Sequence, residues 1–313
     1  MYKSQHPSSK IIAEVAWMYY VKNLNQREIA DILSLSRPTV ISYLKIAKER
    51  NIVCIQVAPE HYQLNDTADK LSRQYDLKSV HVVPDEGLEG EMLSRRVCEV
   101  AAQYLPFFLK KGDSLGVSWG QTISFVSEYV PHWPIENLTV RQLIGSIANP
   151  LLNTSESCTT EIARRLEAYC VNLNAPAVCS SASLAAALKA EPIIKEQLDA
   201  LQSCNKSIFS LSPCTPDTHV VQFKIASVED IEIYRGKGAI GIIAGRFIDA
   251  EGQPILGDLD ERIIGADHAL LKKMEGLLVV SGGFKLDATL AALRGGFADH
   301  LVIDQKTARE LCI

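Results

Sequence analysis

Several common sequence features are missing from this chain of 313 residues, and each absence excludes a class of protein. No apolar run approaches the roughly 18–20 residues needed to cross a bilayer, and Met1–His6 lack the apolar core of a secretory leader. The eight cysteines include no CxxC pair, and no histidine stands at zinc-ligand spacing. We therefore expect a cytoplasmic protein with free, structural thiols, no metal site and no membrane contact.

Nucleotide-binding and catalytic motifs are also missing. There is no P-loop, and the match to GxGxxG at Gly236–Gly241 leads into apolar Ile242–Ala244, which is typical of a strand. A dinucleotide fingerprint must open a helix, so we interpret this match as coincidental and expect no cofactor. The seven histidines show no pairing with an acid or a nucleophile at motif spacing, so we predict no catalytic residues.

What the chain does have is ample apolar material and an uneven distribution of charge. It is 47% apolar and 22% charged, which at this length predicts about two ordered domains. Residues 1–57 carry eight lysines and arginines against four acidic residues, whereas the whole chain has a net charge of −5. A basic head on a larger acidic body indicates that the head is the part that binds a polyanion.

Residues 1–57 show the pattern of a helix-turn-helix DNA-binding domain. Apolar spacing predicts three helices: Lys10–Lys22, Gln26–Leu33 and Arg37–Lys48. Asn25 and Glu28 form a capping box for the second helix, and Ser36 caps the third. Ser34 stands where the turn usually has a glycine. Asn51–Val57 alternates apolar residues and predicts a short strand or wing.

The outer face of the third helix is the one that would enter a major groove. The candidate DNA-binding residues are Ser36, Arg37, Thr39, Ile41, Ser42 and Lys45. Arg37 and Lys45 suit guanine edges or phosphates, and the hydroxyl side chains suit bases or phosphate. Two alternatives stay open. The helices could form an ordinary three-helix bundle, and Ile41 could pack beneath the following segment instead of touching a thymine methyl.

The rest of the chain predicts a linker helix over residues 58–78, which is also a plausible dimer contact, and an α/β domain over residues 79–313. In that domain short apolar strands alternate with amphipathic helices, as in a parallel sheet. Three strands end in loops that contain glycine: Ser114–Ser118 before Trp119–Thr122, Leu138–Ile144 before Gly145–Ser146, and Gly276–Ser281 before Gly282–Lys285. Glycine lets an anion approach the backbone at a helix N-terminus, so these loops predict a site for a phosphate-bearing small molecule.

These motifs, in this order, resemble the SorC/DeoR family of bacterial transcriptional regulators, in the branch that has a sugar-binding domain. The resemblance covers almost the whole chain. The matching segments are Leu35–Val40, Gly116–Thr122, Gly238–Gly252, Leu259–Gly265, Ser281–Lys285 and Ala291–Gly296.

The resemblance implies a winged helix-turn-helix joined to a Rossmann-like domain related to sugar-phosphate isomerases. It implies a regulator of a carbohydrate or polyol catabolic operon that binds operator DNA and a phosphorylated sugar or polyol, and that acts as a dimer or tetramer. Carried over by position, the effector-binding residues are Gly120, Gln121 and Thr122 in a phosphate-cradling loop, Gly145 and Ser146 after the next strand, Asp260 near the sugar hydroxyls, and Lys285 reaching the ligand.

Departures from the family pattern bear on the ligand and on the operator. Some members have a lysine where this chain has Ile144, so we expect no Schiff base with an open-chain sugar. Ser210–Pro213 replaces a strand end that is richer in glycine in relatives. Val40–Tyr43 differs from the usual recognition helix, which predicts a different operator sequence.

Two other functions compete with that of a regulator. A sugar-phosphate isomerase would need a positioned general base, for which the candidate carboxylates are Asp249, Asp260 and Asp287, although each also fits a loop or helix-cap role. A DNA-binding architectural protein without a ligand would leave the large body and its glycine loops unexplained.

Overall fold

The computed structural model describes residues 8–50, 52–53, 66–147 and 154–312. The chain divides into two compact units, Met1–Val57 and Ala58–Ile313. Within the described ranges, no helix is long and apolar enough to span a lipid bilayer. The same residues include no cluster of histidine, cysteine or carboxylate side chains able to hold a metal ion.

The first unit contains three helices in its described part, α1 Ser9–Tyr20, α2 Gln26–Leu33 and α3 Arg37–Glu49. Asn25 caps α2 by accepting the backbone N–H of Glu28, whose carboxylate accepts the N–H of Asn25 at 2.7 Å. The Ser36 hydroxyl accepts the N–H of Thr39 at 3.2 Å and so caps α3. The caps explain why the sequence locates the starts of α2 and α3 correctly.

The turn between α2 and α3 is built without glycine. Ser34 takes a left-handed conformation, with φ of +51°, and ends α2. Buried side chains from all three helices form the core of this unit: Ile12, Val15, Ala16, Ile29, Ala30, Val40, Leu44 and Ala47. Of the predicted wing, Asn51–Val57, only Ile52 and Val53 lie inside the described residues, where they form a bend hydrogen-bonded to Ala47.

The described strands of the second unit are β1 Ser79–Val83, β2 Ser114–Val117, β3 Thr139–Gln142, β4 Tyr169–Val171, β5 Lys206–Phe209, β6 Leu211–Pro213, β7 Gly241–Ile243, β8 Arg246–Ile248, β9 Pro254–Ile255, β10 Glu275–Val280 and β11 His300–Asp304. Seven form one sheet, in the order β1-β11-β10-β5-β2-β3-β4. Every pairing in this sheet is parallel. The predicted α/β class is confirmed.

Both faces of the parallel sheet are buried. In β10, Leu278 and Val280 enter one apolar cluster, while Leu277 and Val279 enter another on the opposite face. Helices cover the two faces, which is the usual arrangement for an all-parallel sheet. The described helices of this unit are α4 Asp66–Tyr75, α5 Gly90–Phe108, α6 Gln121–Tyr129, α7 Ser155–Arg165, α8 Ala182–Ala190, α9 Pro192–Ala200, α10 His219–Gln222, α11 Val228–Gly236, α12 Asp258–Arg262, α13 His268–Leu271, α14 Leu286–Arg294 and α15 Gln305–Leu311.

A second, antiparallel sheet was not predicted from the sequence. It has the order β6-β7-β8-β9 and begins directly after β5. The GxGxxG match at Gly236–Gly241 ends on the first residue of β7 rather than opening a helix, which confirms that it is coincidental.

The loop after β3 leads into α7 and differs from the sequence prediction at the end of the strand. α7 begins at Ser155 because the Thr154 hydroxyl caps it by accepting the N–H of Ser157 at 3.2 Å. The strand expected to run to Ile144 ends at Gln142, and Ile144 forms an antiparallel bridge with Gly265 instead.

Candidate effector-binding site and DNA-binding surface

A cleft lies at the carboxyl ends of β2, β5 and β10, which are neighbours in the parallel sheet. This edge is where open parallel sheets bind ligands. Its narrower part, the inner chamber, has a volume of about 40 Å³, which is room for one small group. It is lined by Ser118, Trp119, Gly120, Gln121, Thr122, Ser210, Leu211, Ser212, His219, Val220, Ile242, Ala244, Gly245 and Lys285.

A wider outer chamber of about 440 Å³ adjoins the inner one. The two chambers share Gln121, Thr122, Ser212, His219 and Lys285. The outer chamber is also lined by Ser94, Phe125, Pro213, Thr215, Asp217, Thr218 and Phe284. The shared wall brings together three of the predicted effector-binding residues, and Gly120 lies beside them in the inner chamber.

Lys285 places a buried ammonium in the shared wall. The residue is only 9% exposed, and its Nζ donates to Thr122 Oγ1 at 3.3 Å and to Ser210 Oγ at 3.4 Å. Within the described ranges no carboxylate forms an ion pair with this ammonium, although the charge of Asp304 acts on it from a greater distance. Burial lowers the pKa of Lys285 to about 8, so the group is still mostly protonated at neutral pH.

The N-terminus of α6 faces the same cleft. Gly120 precedes the helix with φ of +107°, a conformation that side chains strain, and no side chain caps the helix here. The first backbone N–H groups of a helix lack partners within it, and the helix dipole adds positive potential at this end. Gly120, Gln121 and Thr122 therefore make this turn a candidate anion site next to the Lys285 ammonium.

His219 is a cleft residue that sequence reasoning missed. It begins α10 and lines both chambers. Burial lowers the pKa of His219, and the positive charge of Lys285 lowers it further. No sequence motif indicates His219, because the other residues that line the cleft come from loops far away along the chain.

A tight hairpin closes one side of the inner chamber. Ala244 and Gly245 join β7 to β8, with φ of +50° and +81°, as a two-residue turn with both central residues left-handed requires. Ser210 and Ser212, on and beside the neighbouring strand β6, also line the chamber. The departure at Ser210–Pro213 therefore supplies hydroxyls to the cleft.

Gly145 and Ser146 are not among the residues that line either chamber. The N–H of Gly145 donates to Ile264 O at 2.9 Å, and a Cβ there would lie 2.5 Å from two backbone oxygens. The Ser146 hydroxyl donates to Glu156 at 3.3 Å. Close backbone packing accounts for this glycine, and Ile144 beside it is fully buried.

Asp260 likewise does not line either chamber, and protein donors occupy its carboxylate. Arg246 donates to Oδ1 at 3.1 Å, the Tyr234 hydroxyl to Oδ2 at 2.7 Å, and the N–H of Gly257 to Oδ2 at 2.9 Å. The Arg246 side chain is 9% exposed, so the pair is largely buried. This geometry is that of a structural ion pair.

The other carboxylates considered for catalysis are also outside the cleft lining. Asp249 accepts the N–H groups of Glu251 and Gln253 and so stabilises its own loop. Asp287 is exposed in the first turn of α14. Neither is positioned as a general base for a ligand in the cleft.

The candidate DNA-binding residues lie on one helix of the first unit. Arg37, Ser42, Lys45 and Ile41 are exposed on α3, Ile41 to 46%. The Ser36 hydroxyl is used in capping, and Thr39 Oγ1 lies 2.7 Å from it. Arg37 Nε donates to Gln26 Oε1 at 3.3 Å, which ties α3 to α2.

Comparison with known proteins extends the similarity over the whole chain. The Sugar-bind family, a sugar-binding domain, matches residues 60–312. The chain is 35% identical to the uncharacterized transcriptional regulator YjhU of Escherichia coli K12, over 96% of this chain and 93% of that protein. It is 28% identical to the deoxyribonucleoside regulator of Bacillus subtilis 168, over 95% and 96% of the two chains.

The fold is shared with solved structures of regulators. The full-length sorbitol operon regulator SorC from Klebsiella pneumoniae superposes with a TM-score of 0.80 at 22% identity, over 99% of this chain and 100% of that one. A DeoR family transcriptional regulator from Listeria monocytogenes matches 79% of this chain and 98% of its own, with a TM-score of 0.72 at 26% identity. The chain therefore belongs to the SorC/DeoR family of transcriptional regulators with a sugar-binding domain, as its motifs predict.

Proposed function

We propose that this regulator changes its affinity for operator DNA when the cleft binds a phosphorylated sugar or polyol. The observation that carries the proposal is the buried Lys285 ammonium, which is held by two neutral hydroxyls and has no carboxylate partner among the described residues. A buried charge without a counter-ion costs stability, and it is retained where a ligand of opposite charge completes the site.

A phosphate group fits the shared wall better than a neutral hydroxyl does. The backbone N–H groups at the start of α6, the Lys285 ammonium and the hydroxyls of Thr122 and Ser210 are donors that several oxygens of one anion can satisfy together. His219 adds a further donor on the same wall. The remaining hydroxyl and apolar lining suits a polyol or sugar attached to that phosphate.

The α3 surface is the proposed operator contact. Arg37 and Lys45 are exposed cations on the helix that would enter the major groove, and Ser42 and Ile41 lie between them. Relatives named for a sorbitol operon and for deoxyribonucleosides support carbohydrate catabolism as the regulated process. We further propose that the protein forms dimers or tetramers, in which the helix-turn-helix units are paired. Ligand binding would then shift the population between two arrangements that differ in the distance between the paired units.

The experiment begins by finding an operator. DNA sites are selected from a random library with the full-length protein, and affinity for the best site is then measured with and without phosphorylated sugars and polyols. We expect one phosphorylated compound to change the DNA affinity by about tenfold or more, which is a coupling of ordinary size. A set of ligands that saturate the cleft and leave DNA affinity unchanged would contradict the proposal.

We assign no catalytic role to the cleft. The regulators named above are the relatives of this chain, and Asp217, the carboxylate among the described lining residues, is exposed at the mouth of the outer chamber. Conversion of a sugar phosphate by the wild-type protein that is lost in His219→Ala would overturn this assignment and favour an isomerase.

A further inference from the structure

The sizes of the two chambers divide the proposed effector into two parts. The inner chamber, at about 40 Å³, has room for one small group, and Gly120 and Ser210 line it beside the Lys285 ammonium. The outer chamber, at about 440 Å³, is in the size range of small-molecule pockets. A phosphate that binds Lys285 and the start of α6 therefore leaves its sugar or polyol part in the outer chamber.

Phe284 presents an aromatic ring to the outer chamber. The residue is 71% exposed, although it directly precedes Lys285, which is 9% exposed. The Nζ atom of Lys285 lies 5.6 Å from the centre of the Phe284 ring. A phosphate bound to this ammonium is joined to its sugar through a single ester oxygen, so the nearest carbon atoms of that sugar lie beside the Phe284 ring.

The loop that carries Phe284 is tied to the fold. The N–H of Gly282 donates to Asp304 Oδ2 at 2.8 Å, and the same carboxylate accepts the N–H of Thr307 in the first turn of α15 at 2.9 Å. Gly282 has φ of +94°, and a Cβ there would lie 2.7 Å from the Phe284 ring. The ring therefore packs against a residue without a side chain, and this packing places it beside the ammonium without burying it.

The rest of the outer chamber has a mixed lining. Phe125 and Pro213 add apolar surface, while Ser94 and Thr215 add hydroxyl groups. A sugar ring matches such a lining, because its C–H bonds gather on a face that an aromatic ring can cover and its hydroxyls lie around the edge. An open-chain polyol carries hydroxyls along its whole length, presents no continuous C–H face and loses the freedom of several torsions when it binds.

We propose that the effector is a phosphorylated sugar in its ring form, packed on Phe284, and that Phe284 is the residue by which the cleft prefers ring-form sugars to open-chain polyols. This inference rests on the phosphate assignment of the proposed function and selects between the two ligand classes that it leaves open. Lys285 and α6 bind the phosphate that both classes share. The aromatic face of Phe284 is the part of the cleft that distinguishes a ring from a chain.

The test is isothermal titration of the full-length protein with three matched pairs of compounds. They are glucose 6-phosphate with sorbitol 6-phosphate, mannose 6-phosphate with mannitol 6-phosphate, and ribose 5-phosphate with ribitol 5-phosphate. The members of a pair share their carbon number and the position of the phosphate, and they differ in ring closure. We expect the sugar phosphate that binds most tightly to bind about tenfold more tightly than its polyol partner.

Substitutions at Phe284 assign the preference to its ring. Phe284→Ala should lower the affinity for that sugar phosphate by about threefold to tenfold and bring the two members of its pair within about threefold of each other. Phe284→Tyr keeps a flat aromatic face and should keep the preference. Phe107→Ala removes an exposed ring on α5 that lines neither chamber, so this matched control should change neither affinity.

The outcomes separate this inference from the proposal beneath it. If phosphorylated compounds bind and depend on Lys285, but the polyol phosphate binds as tightly as its sugar partner or Phe284→Ala retains the preference, the ring-form inference is wrong and the phosphate site stands. If none of the six compounds binds, or Lys285→Met leaves their binding unchanged, the phosphate assignment itself is wrong.

Discussion

The Nζ atom of Lys285 lies 3.3 Å from Thr122 Oγ1, although 163 residues separate the two along the chain. Thr122 stands in the first turn of α6, after β2, and Lys285 ends the loop after β10. β5, which lies between β2 and β10 in the sheet, leads into Ser210, the second acceptor of the ammonium. Three adjacent strand ends therefore bring together the groups of the proposed anion site, and this convergence is the basis of the predictions below.

Replacement of Lys285 by methionine should stabilise the ligand-free protein at neutral pH. Burial of the ammonium lowers its pKa to about 8 from the ordinary value of a lysine. At any pH where the lysine is charged in the unfolded chain, burying it therefore reduces the free energy of unfolding. Between pH 8 and roughly 10.5 the unfolded chain holds a proton that the folded protein has released, and the stability of the wild type rises with pH there.

The measurement is the melting temperature of wild type and Lys285→Met from pH 7 to pH 10. We expect the variant to melt higher at pH 7 and its advantage to shrink above pH 8. Lys195→Met, at an exposed lysine on α9, should show no such dependence. A variant that melts several degrees lower at pH 7 would mean that the lysine stabilises the apo fold.

Gly120→Ala should cost stability through backbone strain alone. A Cβ at Gly120 would meet no atom within 4 Å, but φ of +107° is unfavourable for alanine, at a cost of about 1–2 kcal/mol. Gly236→Ala is the matched control, because a Cβ there also meets open space and the residue ends α11 without a left-handed φ. Denaturant unfolding should give a loss for the first variant and none for the second.

Asp260→Asn should destabilise the fold rather than weaken ligand binding selectively. The substitution leaves the buried Arg246 guanidinium without its counter-ion, which costs about 3 kcal/mol. Asp258→Asn on the same helix removes an exposed partner of Arg262 and should change stability by less than about 0.5 kcal/mol. An Asp260→Asn protein of normal stability that no longer binds sugar phosphates would instead assign Asp260 to the ligand.

Substitutions on α3 should affect DNA binding without affecting the cleft. Arg37→Ala and Lys45→Ala each remove an exposed cation from the α3 surface, so we expect weaker operator binding. Where the lost contact is to a phosphate, the slope of log affinity against log salt concentration should become shallower by about one, because one fewer counterion is released. Lys10→Ala, on α1, is the control of equal charge. Equal effects of all three on DNA affinity would indicate a general charge effect instead of a groove contact.

The head could be predicted from the sequence because its signals are local. The capping box at Asn25 and Glu28 and the cap at Ser36 act within one helical turn, and the structure has both. Strand-loop-helix patterns and family resemblance also pointed to Gly120–Thr122 and Lys285, which the structure brings together in one cleft. Each depends on a short stretch of chain.

The parts that could not be predicted depend on contacts between distant segments. The antiparallel sheet of β6–β9 has strands of two or three residues, too short for a clear alternation pattern. His219 lines the cleft because it begins α10, the helix that follows β6 along the chain. The sequence alone does not show where this helix lies. Gly145 matched the loop pattern, but a glycine is needed there because the backbone packs closely against a neighbouring segment. The sequence does not reveal that contact.

The measurement that tests the central claim most directly is a paired titration of the full-length protein with phosphorylated sugars and polyols and with their unphosphorylated parents. A ligand at about 100 times its dissociation constant adds about 2.7 kcal/mol of stability, which a thermal shift detects. The account predicts stabilisation by a phosphorylated compound only, lost in Lys285→Met and retained in Lys195→Met. Equal stabilisation by the unphosphorylated parent, or full retention of the shift in Lys285→Met, would contradict it.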